Sequence, residues 1–586
     1  MNLVSDEPWL RRRTALHDRY LEVARVGDAS RLAYLHGPEM VWSEEQVAGM
    51  WERAARQRIG DMPSLNCVYI HVPFCKSICN FCNYDRLQPS SPSLLKTWLA
   101  RVLRSIDVIA PAVRPLTFHA LYIGGGTPSV LPARLLHELL EAIDTKLSWD
   151  PLASRKLEFD PAVMNRDRLE VLAAHNIRQL SFGIETLDPE INARHNRGRQ
   201  GIELIERCFI DLKAVGISDV ACDFLLGLEG TTPEGMLAEM ETILRRFGPA
   251  WLDIFMLTPT HSYVTRHFGG SWEAFWTHIK RFQDVVPAAL PELAAKTGYE
   301  VRMGQGHHMM LMRRKHTPSW AQRAIATVRA RLSGRRPPTF RYFYTALTTE
   351  CRRPLNVLGL GRSARSVIFG TAAFAVHDPE DNPAVEGPAT YVGNRIDLAD
   401  EARTFLSHLL RDTDTVDRAE FRQIFGADIT DVIPTALAGW AKEGTATLED
   451  GVLRLVTQDR RERIRTLLWL APEEAIEFDL AHFHQLELTP AGVARLVEPI
   501  KPGTILASGH TFAGTDGTRV LLRTPDGETL RLRLAPELKE GDPLRLIIEG
   551  APQRSDVEAL RHAVAQLRGV LTQRHRKLTN RVAARA

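Results

Sequence analysis

Short apolar segments and longer helical stretches alternate along the chain between residues 66 and 256. The apolar segments lie at 66–72, 119–123, 156–159, 178–182, 219–223 and 251–256. This alternation favours parallel strands with helices outside, because each parallel connection must cross the sheet and a helix is the usual crossover. The sequence therefore predicts an α/β fold built on a parallel sheet.

A loop rich in cysteine directly follows the first apolar segment. Cys75, Cys79 and Cys82 are spaced as C-x3-C-x2-C. Cysteine thiolates are the usual protein ligands of iron–sulfur clusters. Three ligands on a cluster of four irons leave one iron open to a small molecule, much as a catalytic zinc keeps an open position. The spacing therefore predicts a [4Fe–4S] cluster with one open iron.

Two other roles fit the three loop cysteines less well, and a third suits only the remaining cysteines. A structural zinc site needs four ligands, and the sequence has no second short cysteine or histidine pair at a suitable distance. A disulfide framework is typical of small secreted domains rather than of a chain of 586 residues. Buried, unreactive side chains are the expected role of the four remaining cysteines, Cys67, Cys208, Cys222 and Cys351.

The cysteine loop and its surroundings resemble the radical S-adenosylmethionine (SAM) superfamily. The segment Y-I-H-V-P-F-C, which ends at Cys75, is similar to the oxygen-independent coproporphyrinogen III dehydrogenase (HemN-type) branch. The resemblance covers about residues 60–460. It implies a partial (β/α)6 barrel whose cluster, held by Cys75, Cys79 and Cys82, binds SAM and cleaves it to methionine and a 5′-deoxyadenosyl radical.

Further motifs resemble the segments that bind SAM in this family. Gly124–Pro128 resembles GGGTP, which holds the amino group, and Glu158 matches the glutamate of E-x-N-P. Arg197 matches an arginine that binds the carboxylate, with Arg199 as a near competitor, and Asp223 would hold the ribose. The full cofactor-binding set implied by the resemblance is Tyr69, Gly125, Gly126, Thr127, Glu158, Glu185, Arg197, Asp223, Gly359 and Gly361.

Glu185 is a departure from the family pattern, which has glutamine at this position. A carboxylate only accepts hydrogen bonds at neutral pH, whereas an amide also donates. A ribose hydroxyl can still donate to Glu185. A contact that needs an amide donor cannot form there.

The segment L-G-L-G-R-S-A around Gly359 and Gly361 resembles the region that helps to bind a second SAM in the parent family. The same glycines, followed by Asp378, also fit a dinucleotide-binding fingerprint. That fingerprint requires a crossover helix after the glycines, and residues 362–370 are too few to supply one.

The sequence predicts five regions. Residues 1–62 form a helical segment, 63–375 the radical SAM catalytic domain, and 400–460 a helical, winged-helix-like C-terminal domain. Residues 461–500 form a helical connector. Residues 501–586 form an extra small β-rich domain with a basic C-terminal helix, because strand-like alternating segments at 504–509, 518–523, 529–534 and 544–549 are interrupted there by Asp-Gly turns.

The resemblance does not fix the reaction, because function depends on the substrate site. The chain lacks the P-R-Y-T-S-Y-P segment of true coproporphyrinogen dehydrogenases, and Tyr84 stands in place of their fourth cysteine. We therefore predict C-methylation or cyclopropanation of an unsaturated substrate in specialised metabolism, with a second SAM as methyl or methylene donor.

Two alternatives to alkylation remain open. One is tetrapyrrole chemistry, either coproporphyrinogen decarboxylation or anaerobic haem degradation. The other is haem carriage without turnover, for which His71, His307 and His308 are candidate ligands.

The expected partners are a small-molecule substrate and an electron donor such as flavodoxin or ferredoxin. Nine basic residues and no acid lie between 313 and 341, which favours an anionic or carrier-bound substrate. No nucleic-acid module and no run of 18 apolar residues is present. We expect a cytoplasmic protein, because thiolate clusters need a reducing compartment and the N-terminus lacks a signal-peptide core.

Replacing Cys75, Cys79 or Cys82 by alanine should abolish cluster assembly, because the cube depends on each of the three thiolates. Anaerobically prepared protein should hold about four irons per chain with thiolate-to-iron absorption, measured by iron analysis and visible spectroscopy. The control variants Cys67→Ala and Cys351→Ala should keep their iron. Stoichiometric zinc in place of iron would contradict the cluster prediction.

Overall fold

The computed structural model describes most of the chain up to residue 476 and four strands beyond it. The described residues are 8–23, 40–82, 84–198, 200–258, 260–303, 308–313, 353–379, 382–456, 460–473, 476, 511–516, 519–523, 529–534 and 546–549. Outside them lie Cys351, His307, Arg199, residues 314–341 of the basic segment 313–341, and the expected C-terminal helix.

A 13-stranded sheet dominates the fold, and its centre confirms the predicted α/β architecture. The six predicted strands are parallel neighbours in chain order. After β1 (Met40–Trp42) they are β2 (Leu65–Val72), β3 (Phe118–Gly125), β4 (Trp149–Phe159), β5 (Gln179–Glu185), β6 (Asp219–Leu226) and β7 (Trp251–Met256).

Helices connect these strands, as parallel crossovers require. The N-terminal region contributes α1 (Pro8–Val23) and α2 (Glu44–Arg56). The crossovers contain α3 (Pro92–Val113), α4 (Ala133–Lys146), α5 (Arg166–Ala174), α6 (Pro189–Arg194), α7 (Ile202–Ala214) and α8 (Pro233–Arg246). Side-chain caps precede α5, α6 and α8; at α5 the Asn165 side chain accepts from the Arg168 N–H at 3.1 Å.

Nearly every residue of β2 is buried, as expected for a strand covered on both sides. Ile70 and Val72 point into the main hydrophobic core between the sheet and its helices, which also contains Trp98 and Leu139. Cys67 packs instead into a small cluster with Leu355 and Val357. Its burial agrees with the predicted unreactive role.

The sheet has further strands at both of its edges, and some of them lie outside the predicted limits of 63 and 375. After α9 (His261–Phe268) and α10 (Trp272–Thr297), β8 (Tyr299–Met303) and β9 (His308–Arg313) extend one edge. At the other edge β10 (Leu355–Leu360) lies parallel to β2. Beyond it, β11 (Arg365–Ile368), β12 (Ala372–His377), β13 (Thr390–Arg395) and β1 are antiparallel. The segment 1–62 thus supplies a strand as well as helices.

The antiparallel pairing of β10 with β11 excludes the dinucleotide-binding alternative for Gly359 and Gly361. The chain turns back at once after Gly361 instead of entering a helix. Asp378 is buried and paired with Arg101 and Arg362, so it is engaged by protein cations. A dinucleotide fingerprint would need a helix after the glycines and an acid exposed to ribose.

A second core lies in the C-terminal helical domain. Its elements are α11 (Leu398–Asp412), β14 (Thr415–Asp417), α12 (Arg418–Phe425), α13 (Ile429–Val432), α14 (Pro434–Glu443), β15 (Ala446–Glu449), β16 (Val452–Leu455) and α15 (Arg460–Leu468). The β15–β16 turn has positive φ at Asp450 and Gly451, as a two-residue hairpin turn of type I′ requires. Leu10 and Tyr20 of α1 pack into this core.

The region after residue 500 contains a four-stranded antiparallel sheet. Its strands are β17 (Thr511–Asp516), β18 (Arg519–Arg523), β19 (Thr529–Leu534) and β20 (Leu546–Glu549). The last three lie where strands were predicted, whereas β17 was missed and the segment predicted at 504–509 lies outside the described residues. None of the helices in the described parts of the chain is long and apolar enough to cross a membrane.

Glu401 in α11 should make stability depend on pH. Burial raises its pKa from 4.5 to about 8, although the Gly370 N–H lies 3.4 Å from its Oε1. The free energy of unfolding should therefore fall as pH rises from about 4.5 to about 8, because only the unfolded carboxyl has lost its proton over that range. The slope is at most about 1.4 kcal/mol per pH unit.

Thermal unfolding of wild type and Glu401→Gln at several pH values below and above neutrality measures this effect. The variant should show a flatter dependence on pH than wild type. Glu449→Gln changes an exposed acid of the same domain and should leave the wild-type slope unchanged. Identical slopes for wild type and Glu401→Gln would show that Glu401 does not titrate in this way.

Candidate active site at the carboxyl ends of the parallel strands

The cysteine loop leaves β2 at the carboxyl edge of the parallel strands, where barrel enzymes carry their sites. Its backbone is fixed to the neighbouring strand ends. The Cys75 N–H donates to Leu87 O at 2.9 Å, and the Thr127 N–H donates to Phe74 O at 2.7 Å. A Cβ added to Gly126 would lie 2.7 Å from Phe74 O and 3.0 Å from Cys75 Sγ, so only glycine permits this approach.

The other side of the loop is held by the turn that follows α6. The Asn80 N–H donates to His195 O at 3.0 Å, and the Asn196 side chain donates to Ile78 O at 2.8 Å. These bonds bring Arg197 to the loop, where its Nη1 lies 3.8 Å from Cys79 Sγ. The structure thus places Arg197 beside the predicted cluster ligands although the two segments are far apart in sequence.

The three thiols share an environment that suits a positively charged partner. Burial raises the pKa of Cys75, of Cys82 and of Cys79, the last to about 11. The Thr127 hydroxyl, 3.5 Å from Cys75 Sγ, and the guanidinium of Arg197 oppose that rise. Because burial disfavours a thiolate, a metal cation bound by the three sulfurs would offset its cost.

Arg197 forms an ion pair with Glu185. Arg197 Nη1 lies 3.3 Å from Glu185 Oε1, and the exposed fractions of the two side chains are 15% and 13%. Burial alone would lower the pKa of Arg197, but Glu185, Cys79 and Asp160 raise it above its usual value. Burial raises the pKa of Glu185, and Arg197 opposes that rise. The guanidinium is therefore a fixed cation, and Glu185 is its carboxylate partner.

Glu158 and Tyr122 form a second polar group on the strands next to the cysteine loop. The Tyr122 hydroxyl donates to Glu158 Oε1, and Glu158 Oε2 lies 3.3 Å from the Gly125 N–H. Tyr69 stacks on Tyr122 with ring centroids 5.8 Å apart. Glu158 is thus held at the glycine segment by two donors.

His71 does not have the geometry of a haem ligand. Its Nδ1 lies 3.0 Å from the Tyr69 hydroxyl and its Nε2 lies 3.1 Å from Asp85 O. The side chain is buried, and burial lowers its pKa. Both ring nitrogens are therefore occupied within the protein.

Asp223 carries a buried carboxylate oxygen that has no hydrogen-bond partner within the described residues. Burial and then Asp253, which is opposite Asp223 in the β6–β7 register, raise the pKa of Asp223 well above its usual value. Lys156 opposes that rise. An unsatisfied buried oxygen is costly, so this position is suited to a ligand hydroxyl or amino group.

The turn after β10 is tied to the cysteine loop. Asp85, just beyond Cys82, accepts from Ser363 and lies 3.0 Å from Arg362 Nε. A Cβ on Gly361, where φ is 84°, would lie 2.5 Å from His71 O. The close approach of His71 O therefore requires glycine at position 361, whether or not this residue also contacts a ligand.

Sequence reasoning missed two groups in this site, Tyr122 and Lys156. Lys156 is 6% exposed and its Nζ lies 5.3 Å from the Tyr122 ring centroid and 5.5 Å from that of Trp251. Both missed residues share a strand face with predicted ones, Lys156 with Glu158 and Tyr122 with Gly124. Strand alternation places residues two apart on one face and offered the signal that would have found them.

Part of the chain is similar to a known protein family and to several known proteins. Residues 69–243 match the family model described as the Radical SAM superfamily. The oxygen-independent coproporphyrinogen III oxidase of Cereibacter sphaeroides is 32% identical over 181 residues, which are 30% of this chain and 39% of that protein. Heme chaperone HemW of Lactococcus lactis is 27% identical over 183 residues, 30% of this chain and 46% of that protein.

Anaerobilin synthase of Escherichia coli O157:H7 is 26% identical over 220 residues, 37% of this chain and 48% of that protein. The chain therefore spans less than half the length of these curated relatives. The solved structure of coproporphyrinogen III oxidase (HemN) from Escherichia coli matches with a TM-score of 0.52 and 19% identity, covering 72% of this chain and 92% of that one. At this identity the likeness shows the fold alone.

A radical SAM domain uses a [4Fe–4S] cluster and SAM, and the residues of this site fit both. Three half-buried thiols lie in one loop, which suits three irons of a cube. The guanidinium of Arg197 suits a carboxylate. The unpaired oxygen of Asp223 suits a ribose hydroxyl.

Replacing Arg197 by alanine should weaken SAM binding by about 1.5–3 kcal/mol, the scale of a charged hydrogen bond. Calorimetric titration of cluster-loaded protein measures the loss, with iron analysis of the same sample. Arg194→Ala is the control, because Arg194 is half-exposed and pairs with Glu229 at 3.0 Å. Wild-type affinity in Arg197→Ala would assign the carboxylate to another cation, with Arg199 the next candidate.

Proposed function

Because residues 69–243 match the model of the Radical SAM superfamily, we propose that this chain is a radical SAM enzyme that acts on a tetrapyrrole. The radical SAM part of this proposal rests on the contact of Arg197 with Cys79, because it places a cation that suits the SAM carboxylate beside the cysteine loop. Cys75, Cys79 and Cys82 would hold the [4Fe–4S] cluster, which when bound and reduced would supply the electron for the reductive cleavage of SAM.

The protein's own residues bind and orient SAM in this proposal. Arg197 pairs with its carboxylate, and the pair with Glu185 keeps the guanidinium in place before SAM arrives. Glu158, fixed by Tyr122 and the Gly125 N–H, accepts from the amino group. Asp223 accepts from a ribose hydroxyl, which satisfies its unpaired oxygen. Such prepositioning lowers the entropic cost of reaching the reactive geometry.

The names of the curated relatives and the exposed side chain of Tyr84 support a tetrapyrrole as the substrate class. The three curated relatives are named for coproporphyrinogen, haem and anaerobilin, all tetrapyrroles. Tyr84, just after Cys82, is 65% exposed. An exposed aromatic face suits a flat macrocycle.

Alkylation of an unsaturated carbon with a second SAM is the competing proposal. It rests on the sequence departures, Tyr84 among them, and on the resemblance of the segment around Gly359 and Gly361. In the described residues those glycines pack on the protein's own backbone, at Arg365 and His71. These contacts give the second-SAM proposal less support than the relatives give the tetrapyrrole one.

The tetrapyrrole and alkylation proposals both need a one-electron donor, and flavodoxin or ferredoxin is the proposed protein partner. Haem carriage without turnover is the third proposal. Carriage would need a haem ligand. His71 is engaged on both nitrogens, and His307 lies outside the described residues. SAM cleavage separates carriage from the enzymatic proposals.

Reduced, cluster-loaded protein should produce 5′-deoxyadenosine from SAM, and a tetrapyrrole substrate should increase that rate. Coproporphyrinogen III and haem are supplied separately, with carbon dioxide release and loss of the haem absorption band as readouts. Methyl-deuterated SAM is used throughout, so that alkylation would be seen as deuterium in the product. Asp223→Asn tests the ribose assignment, with the exposed Asp167→Asn as control.

Each outcome separates the proposals. Carbon dioxide or an opened macrocycle would support tetrapyrrole chemistry. Deuterium in a product and formation of S-adenosylhomocysteine would replace it with alkylation. Haem binding without 5′-deoxyadenosine from cluster-loaded protein would favour carriage and contradict the enzymatic proposal.

A further inference from the structure

Two histidines and a glutamate meet on the outer surface of the barrel, away from the site described above. His137 and Glu141 lie one turn apart on α4, and His175 is the residue that ends α5. One ligand atom from each residue lies within 4.8 Å of the other two. We propose that these three residues bind one zinc ion.

The two imidazoles already face each other. His137 Nδ1 lies 2.8 Å from His175 Nε2. Tetrahedral zinc with bonds of about 2.0–2.2 Å to nitrogen and oxygen separates its ligand atoms by roughly 3.3–3.6 Å. The histidines therefore need to part by about 0.5 Å, a movement that the exposed His137 can make through its side-chain torsions.

His175 is held in the orientation that a metal ligand needs. Its Nδ1 lies 2.7 Å from Asp144 Oδ2. Asp144 is itself fixed by Arg155, whose Nη1 lies 2.5 Å from Asp144 Oδ1 and 3.0 Å from His175 O. A histidine that donates one ring N–H to a carboxylate presents its other nitrogen as a lone pair, the arrangement found behind zinc-binding histidines.

The exposure of the group allows an ion to enter. His137 and Glu141 are exposed, whereas His175 is 7% exposed. Two neutral imidazoles and one carboxylate are borderline donors that suit zinc, and a water molecule would complete the fourth position. A purely acidic surface group would lack the nitrogen donors that distinguish this one.

The position of the group indicates a structural role for the ion. His175 precedes β5, and Asp144 lies near the end of α4, just before β4. Both are therefore near the amino ends of the parallel strands, opposite to the cysteine loop. Residues at this face of a barrel contribute to stability rather than to chemistry. The ion would join α4 to α5 and stabilise the barrel wall.

A second group, His195, Glu229 and His267, is less suited to a metal. Glu229 pairs with Arg194 at 3.0 Å, and His195 Nε2 lies 3.0 Å from Glu229 O. A metal there would have to displace the arginine. The α4–α5 group has no competing cation on Glu141 within the described residues.

Zinc titration of full-length, cluster-loaded protein tests the proposal, since an intact cluster keeps zinc from its cysteines. After free metal is removed, zinc and iron are counted in the same sample. Wild type should retain one zinc per chain more than His137→Ala, and Glu141→Ala should bind it at least tenfold more weakly. Glu138→Ala changes an exposed acid of the same helix and should bind zinc as wild type does.

Thermal unfolding gives a second readout that does not depend on SAM cleavage. Zinc should raise the melting temperature of wild type and of Glu138→Ala but not that of His137→Ala, because only a ligand of the folded state stabilises it. Equal zinc content in wild type and His137→Ala would overturn the proposal. So would a wild-type protein that retains no zinc.

Discussion

The ion pair between Arg197 and Glu185 is the interaction on which the arrangement of the active site depends. A guanidinium with 15% of its side chain exposed must have a carboxylate partner, because an unpaired buried charge is strongly destabilising. The same guanidinium contacts Cys79 and donates to Gly183 O at 2.7 Å. One side chain therefore links the cysteine loop, the end of β5 and the turn after α6.

Sequence patterns were sufficient for the parallel core because each strand is a short apolar run between helices. β2, β6 and β7 were placed to within a few residues for this reason. The cysteine spacing and the motif arginine likewise identified groups that the structure brings together. Local patterns carry this information because strand order in a parallel sheet follows chain order when the crossovers are alike.

The missed features depend on contacts between distant segments. β10 lies beside β2, and β1 pairs with β13, although no local pattern records either partner. β17 was missed because T-F-A-G-T-D has a glycine in a strand, which lowers its strand propensity. A lysine is usually expected at the protein surface, yet Lys156 is buried and its Nζ lies near the rings of Tyr122 and Trp251. The role of Gly361 is also tertiary, since His71 O approaches it from another strand.

Because β10 pairs with β2, the strand that carries the cysteine loop gains one of its two neighbours only late in the synthesis of the chain. Asn66 and Asn356 bond side chain to side chain at 2.9 Å, and they are 290 residues apart. The strand that carries the cysteine loop therefore emerges from the ribosome long before one of its two neighbours exists. Until residues 355–378 arrive, Asp85 has neither Arg362 nor Ser363, so one anchor of the loop is absent. Distant pairings of this kind fold slowly and leave an exposed strand edge during synthesis. Completion of the loop is thus a late event, and iron delivered to the growing chain would meet a cysteine loop that still lacks this one anchor.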